Sequence, residues 1–296
     1  MMVSVIIPVY NEANTITDCL SSLSSQRLSS MEVIVVDDGS LDASIHKIKS
    51  FDSLLPKADR QDRQSKLLLK NINLTLLKQS HKGPGKARNY GASRARGEIL
   101  VFVDADMTFD RDFIKKLTEP IISKQTKGTF TRAEYVSNWD NTWARLWNYN
   151  NGIPDRSRIP KDYPDKSPVF RAILKSEFDK VGGFDDIGFT DDWTLSRKLG
   201  YTATVAQGAI CYHTNPDSLK EVYLHSRWIG KNEFISGTIS RKVINLFRFN
   251  PITAFILGII KMIRYKELRF LIFSFVYNQA IFQSIILSFA KEPKSK

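Results

Sequence analysis

The chain has 296 residues, room for one large α/β domain with an appendage or for two modest domains. Hydrophobic residues make up 42% and charged residues 25%, which excludes a disordered or fibrous protein. The net charge of +12, from 43 basic against 31 acidic side chains, points to anionic partners: nucleic acid, phosphates or an acidic lipid surface. Cys19 and Cys211 lie far apart without CxxC spacing, so they read as buried reduced thiols in a cytosolic compartment, not a zinc site or a disulfide framework.

In chain order, Val3–Val9 is a short apolar stretch with no basic lead and no cleavage site after it. It reads as a buried strand, not as a secretory signal. Glu12–Gln26 follows with Ile16, Leu20 and Leu23 at helical spacing. Glu32–Val36 is a second buried strand and Asp42–Phe51 a helix, while the charged stretch 53–70 reads as a solvated excursion. Leu74–Leu77 and Ile99–Val103 are strands on either side of a helix at Pro84–Arg96. This strand–helix repetition predicts a mostly parallel sheet with helices on both faces and ligands at the carboxyl ends of its strands. Beyond it, Ile121–Val136 reads as a strand region, Trp139–Tyr149 as an aromatic-rich segment and Ile153–Pro168 as a mobile loop. Val169–Leu174 and Thr202–Ala206 read as strands, and Asp191–Leu199 and Ser218–Ile235 as helices.

Carboxylates fall where such a sheet binds ligands. Asp104 and Asp106 follow the strand Ile99–Val103, and two acids one residue apart can both reach a divalent cation such as Mg²⁺ or Mn²⁺. The same pair also suits a turn in which Asp106 caps the next helix. Asp37-Asp38-Gly39-Ser40 ends another strand; a carboxylate there can accept from a base or ribose, or the run is an ordinary βα turn. Lys82, Lys86 and Arg88 crowd a glycine-containing helix start, which suits phosphate oxygens or is simply a basic solvated helix end; the spacing is not that of a Walker A loop. Asp191 and Asp192 open a helix and could supply a general base, or Thr190 or Asp191 caps it. His213 is a metal ligand or a structural histidine. Arg227 could contact a diphosphate, and Trp228 stacks or packs.

Taken jointly, these motifs resemble the inverting family-2 glycosyltransferases with a GT-A fold. The resemblance runs through Val5-Ile-Ile-Pro8-Val-Tyr10-Asn11-Glu12, Val35-Val-Asp37-Asp38-Gly39-Ser40, Gly85-Lys-Ala-Arg88-Asn89 and Val103-Asp104-Ala-Asp106. It continues through Gly182-Gly183-Phe184-Asp185 and Asp191-Asp192-Trp193-Thr-Leu195, so it covers residues 3 to about 235. It implies a GT-A nucleotide-binding sheet, a nucleotide-diphosphate sugar donor, a saccharide or lipid-linked acceptor and a Mg or Mn cation. Pro8, Tyr10 and Glu12 would line the nucleoside pocket, Asp38 would bond the base, Asp104 would serve the ribose or the metal, and Asp106 would be the main metal ligand. Asp192 matches the catalytic base, but Asp191 stands where the family has Glu, which leaves the base open between the two. The Gln-x-x-Arg-Trp motif of processive members is incomplete, because Leu224 stands in the Gln position before Arg227-Trp228.

The expected domains are 1–245, with a nucleotide half at 1–107 and an acceptor half at 108–245, and C-terminal apolar helices at 246–296. Phe270–Ala290 carries no charge and is long enough to span a bilayer, yet Asn278, Gln279 and Gln283 sit at its middle. Basic residues flank it on both sides, so a helix pair lying in the cytosolic leaflet, a full span and a dimer interface all stay open. Two rival functions share some features: a nucleotidyltransferase uses the same metal chemistry, and a nucleic-acid-binding protein would explain the charge. No RNA- or DNA-binding signature supports the latter, so no nucleic-acid partner is expected.

Overall fold

A computed structural model describes residues 1–28, 31–54, 72–186, 191–232 and 239–290. From residue 55 on, the charged stretch read as an excursion lies outside the described residues. By contact the chain falls into two compact units: residues 1–135, 161–186 and 191–213 form the first, and residues 136–160 with 214 onward the second. This grouping cuts across the division expected at 245.

The first unit is built on β1 (Val3–Val9), β2 (Met31–Asp37), β3 (Asn73–Lys78) and β4 (Ile99–Phe102), which run parallel in the order β3-β2-β1-β4. The crossovers carry α1 (Ile16–Ser24), α2 (Ser44–Leu54) and α3 (Pro84–Arg94). Alternate side chains of β1 and β4 serve two cores. Val5, Ile7 and Val101 pack with Leu20 and Leu23 of α1, whereas Ile6, Leu100 and Phe102 pack with Ala87 and Ala92 of α3. Strands buried on both faces need near-continuous apolar sequence, which is why β1, β2 and β4 were readable, whereas β3 is only half-buried.

The sheet continues as a mixed one through β9 (Ala172–Leu174), β6 (Gly128–Phe130), β10 (Ala203–Val205) and β8 (Lys166–Ser167). A second sheet of three short strands has the order β5 (Met107–Phe109), β11 (Cys211–His213), β7 (Glu134–Val136). Here the structure corrects the sequence reading. Residues 121–122 end a helix, α4 (Phe113–Ile122), and only 128–130 and 134–136 of the expected strand region are strand. The apolar positions Phe113, Ile114, Leu117 and Ile121 have helical spacing and are all buried, but Pro120 inside the helix disguises it. The unit is completed by α6 (Lys175–Lys180), a 3-10 turn at Asp191–Trp193 and α7 (Thr194–Leu199).

The expected mobile loop Ile153–Pro168 is tied down instead. In the second unit the buried Asn148 side chain donates to the carbonyls of Asp155 and Ser157 at 2.8 and 2.7 Å, and Arg156 exchanges two bonds with the Val136 backbone. In the first, Ser167 and Lys166 pair with β10.

The second unit is helical: α5 (Thr142–Asn150), α8 (Leu219–Asn232), α9 (Ile239–Phe249), α10 (Pro251–Tyr265) and α11 (Phe270–Ala290). The aromatic-rich segment is α5, whose Trp147 packs with Val222, Phe270 and Phe273. Its first turn is capped by Asn141, which accepts from Trp143 N and Ala144 N. α11 lies tight against its neighbours through glycines. A Cβ on Gly230 of α8 would stand 3.0 Å from Ile281 Cα, and one on Gly258 of α10 3.3 Å from Leu271 Cα. Two polar residues of α11 belong to this packing, Gln283 Oε1 accepting from Tyr223 OH at 2.7 Å and Ser284 Oγ donating to the Arg227 carbonyl at 3.0 Å. Asn278 Nδ2 bonds the Ser274 carbonyl of its own helix at 2.6 Å, and Gln279 Oε1 is buried without a partner among the described residues.

Candidate active site

Because β2, β1 and β4 are parallel neighbours, the residues after them share one edge of the sheet. After β1, Asn11 adopts φ +58°, a left-handed conformation that Asn tolerates better than most side chains. Asn11 N donates to Ser40 Oγ and its Oδ1 accepts from Leu41 N at 2.8 Å, while Ala13 N donates to Asp42. These bonds stitch the β1–α1 turn to the β2–α2 turn. Glu12 turns back to accept from Thr15 Oγ1 at 2.8 Å, and Pro8 is the half-buried penultimate residue of β1. Tyr10 stacks on His81 with ring centroids 4.0 Å apart, which gives this edge a flat aromatic wall.

Asp38 is nearly buried and its carboxylate is fully used within the chain. It accepts from Gln79 Nε2 at 2.6 Å, from Lys82 N and Gly83 N at 2.8 Å each, and meets His81 Nδ1 at 2.9 Å. A carboxylate has about four acceptor sites, so a base N–H has to displace one of these donors. Asp38 anchors the 79–83 turn beneath the stacked rings.

On α3, three successive motif residues reach different partners. Lys86 pairs with Asp186 at 2.6 Å, Arg88 with Asp104 at 2.7 Å, and Asn89 exchanges two bonds with the Phe184 backbone. Gly183, at φ +74°, sits so close to Asn89 that a Cβ there would be 2.4 Å from its Oδ1. The glycine is therefore required twice, by its backbone angle and by its neighbour. Asp185 N donates to Thr194 Oγ1 and its carboxylate meets Lys198, which leads the chain into the 3-10 turn that carries Asp192. That turn packs against α3.

The most connected group is a row of alternating charges. Asp104 takes Arg88 on Oδ1 at 2.7 Å and Arg171 on Oδ2 at 3.2 Å; Arg171 reaches Glu134 at 3.3 Å; Glu134 meets His213 Nδ1 at 2.9 Å; and His213 Nε2 lies 3.0 Å from Asp106. β11 supplies this histidine, set opposite Met107 by the register of the small sheet. Burial works against ionising Asp104, but Arg88 and then Arg171 outweigh it and hold the carboxyl well below the usual range. Burial likewise opposes the charge on Arg171, and Glu134 and Asp104 more than restore it. Cys19, beneath this edge, has its thiol pushed up by burial and by Asp106 and Asp104, which leaves it inert.

The sequence model of glycosyl transferase family 2 matches residues 4–182, more than half of the chain. The chain belongs to glycosyl transferase family 2. Glycosyltransferase AglE of Haloferax volcanii is 33% identical over 221 residues, 72% of this chain and 67% of that protein. TarS of Staphylococcus aureus, a poly(ribitol-phosphate) beta-N-acetylglucosaminyltransferase, is 32% identical over 117 residues, 39% of this chain. The match spans only 18% of the length of TarS, and the share is 15% for the similarly matched GlyA of Streptococcus pneumoniae. Among solved structures, the mannosyltransferase PcManGT of Pyrobaculum calidifontis, in complex with GDP-Man and Mn²⁺, aligns with a TM-score of 0.56 at 18% identity. That alignment covers 97% of this chain and 86% of the other. The likeness establishes the GT-A fold.

The family's cation was expected on Asp106, Asp104 and His213, and in the structure these three are differently engaged. Asp104 has both oxygens on guanidinium groups, so it does not suit a second positive charge. Asp106 and His213 do fit. Their donor atoms lie 3.0 Å apart, and an imidazole nitrogen with a carboxylate oxygen is a donor set that would suit Mn²⁺ or Mg²⁺. Among the described residues no third His, Cys, Asp or Glu joins them in a metal-binding cluster. Arg227 lies in the second unit on α8, its guanidinium 5.7 Å from the Tyr223 ring. The side chain of Asp191 lies outside the described ones.

Sequence reasoning missed Gln79, His81, Glu134 and Arg171. One signal was present: an arginine inside the apolar run Val169–Leu174 is unusual for a buried strand and calls for a charged partner.

Proposed function

We propose that this chain is an inverting glycosyltransferase that moves a sugar from a nucleotide-diphosphate donor to an acceptor hydroxyl, in glycan, lipid-linked saccharide or cell-envelope synthesis at the cytoplasmic face of a membrane. The observation that carries this reading is the Asp106–His213 pair, 3.0 Å apart, on the same strand edge as the Tyr10–His81 stack. The stack provides a face for a nucleobase. Asp106 and His213 would hold a Mg or Mn cation, which when bound neutralises charge on the departing diphosphate. The Mn²⁺ and GDP-Man of PcManGT and the UDP-GlcNAc bound by TarS support that donor class.

Arg88 and Arg171, both committed to Asp104, position the strand end instead of gripping phosphate. Lys86 is half exposed and can exchange Asp186 for a phosphate oxygen. Asp192 would take the acceptor proton as the acceptor oxygen attacks the anomeric carbon from the side opposite the diphosphate. The carbon–oxygen bond to the diphosphate breaks, and the nucleoside diphosphate leaves with the bonding electron pair. One carboxylate base and a single displacement give inversion.

The test is donor hydrolysis and transfer with Mn²⁺ and a panel of UDP-, GDP- and dTDP-sugars, with the anomer read by NMR. Release of a nucleoside diphosphate and an inverted product is expected; release of pyrophosphate would sink the reading in favour of nucleotidyl transfer. Asp192→Asn should lower transfer about 10²–10⁴-fold with donor binding retained. If Asp191→Asn behaves that way instead, the base is Asp191.

A further inference from the structure

We infer that α9 and α10 form a bent, in-plane seat for an anionic bilayer, and that α11, the helix apolar enough to span, is the internal brace that holds them. This rests on the membrane-attached reading above and names the surface that performs it.

α10 presents Ile252, Phe255, Ile256, Ile260 and Ile263 to solvent, from about half to three-quarters exposed, in steps of one, three and four residues that keep them on one side. Its opposite side is small, Ala254 and Gly258, and packs on α11. A helix of 15 residues is about 22 Å long, too short to cross a hydrocarbon core of about 30 Å. α9 continues the exposed apolar surface with Ile244 and Phe247. The two helices meet at 52°, a bend built into the chain by Asn250, which caps α10 by accepting from Ile252 N and Thr253 N, and by Pro251 in its first turn. An apolar strip of this extent, bordered by charge, marks an interaction surface.

Charge selects the occupant. From Ile239 to Ala290 the chain has seven Lys and Arg residues and one acid, Glu267, and from Ile239 to Tyr265 it has no acid at all. Arg241, Arg248, Arg264 and Lys266 are exposed around the strip. A second copy docking symmetrically would set these cations against their own kind, whereas anionic headgroups complement them. Spanning by α11 is disfavoured by its company. It runs along α8 through the Tyr223–Gln283 and Ser284–Arg227 bonds, and α8 carries Lys220, Glu221 and Arg227, whose charges would be drawn to membrane depth with it.

The full chain should co-sediment with phosphatidylcholine vesicles containing about a third phosphatidylglycerol roughly ten-fold more strongly than with phosphatidylcholine alone, and salt should weaken the binding. F255E with I256E should reduce binding roughly ten-fold or more, and L224E on exposed α8 should not change it. Because Cys19 and Cys211 are buried, an environment-sensitive dye on I256C labels one site; its emission should shift to the blue on anionic vesicles, and the same dye on L224C should not respond. Circular dichroism and donor hydrolysis without vesicles check that each variant is folded. Binding unaffected by F255E/I256E, retention of the protein in membranes through alkaline carbonate extraction, or a lipid-free dimer dissolved by F255E/I256E would each overturn the proposal. Absence of donor hydrolysis with normal vesicle binding would count against the enzymatic reading alone.

Discussion

The two units keep polar groups away from water in opposite ways. In the first, six charged or titratable side chains from Arg88 to Asp106 alternate between acids and basic groups along the strand edge, each bonded to the next. In the second, Gln283 and Ser284 of α11 bond a partner on α8, Asn278 bonds the nearest carbonyl, and Ser274 Oγ and Gln279 Oε1 stay buried without a hydrogen-bond partner among the described residues. A buried charge deprived of its partner is expensive, while a neutral hydrogen-bonded pair can be replaced at little loss. The difference separates a region built for chemistry, where each residue is fixed by its neighbours, from a region built for packing, where shape decides.

The sharpest way to break this comparison is at the end of the charged row. Asp106→Asn keeps size and hydrogen bonding but removes the negative donor that faces His213. Metal-dependent turnover should fall by about 10³-fold or more, with the melting temperature nearly unchanged. Undiminished turnover would remove Asp106 from the chemistry and leave the row a structural device. Next in size is Arg171→Ala, which removes the buried cation that both Asp104 and Glu134 share, leaving Asp104 with Arg88 and Glu134 with His213. Urea denaturation should show a loss of about 3–5 kcal/mol.

The same row predicts a dependence on pH. The folded Asp104 carboxyl is held below its unfolded value, so its contribution is complete above the unfolded pKa of about 3.9 and is lost as pH falls toward the folded one. The urea midpoint of the native protein should therefore decline below about pH 4, and Asp104→Asn should flatten that part of the profile. A variant that declines just as steeply would show that other carboxylates govern the acid limb.

The sheet half that was legible and the half that was not differ for a physical reason. β1, β2 and β4 are buried on both faces and connected by full helices, so their composition alone declares them. β5, β6, β7 and β11 have three residues each, too few for a period to show, and α4 hides behind Pro120. Asp106 and His213 were both named as metal candidates from the sequence, but their contact could not be read there, because it is made by the pairing of β11 with β5 across a long stretch of chain. The pairing of Asp104 with Arg171 was hidden in the same way, because it joins residues 67 positions apart. Sequence shows which groups are unusual, and only the fold shows which of them neutralise each other.

The smallest effect sharpens the comparison from its other side. Tyr223→Phe deletes the bond to Gln283 and leaves Oε1 facing an apolar ring, which should destabilise the helical unit by about 1 kcal/mol. Adding Gln283→Leu removes the stranded acceptor, and the double variant should recover most of that loss, because the pair is half buried and neutral. The corresponding pair in the first unit, Arg171→Met with Glu134→Leu, should recover far less, since Asp104 keeps a charge that Arg171 had helped to balance and His213 loses its carboxylate partner on Nδ1. Equal recovery in the two cycles would mean that the charged row is maintained by packing as much as by electrostatics.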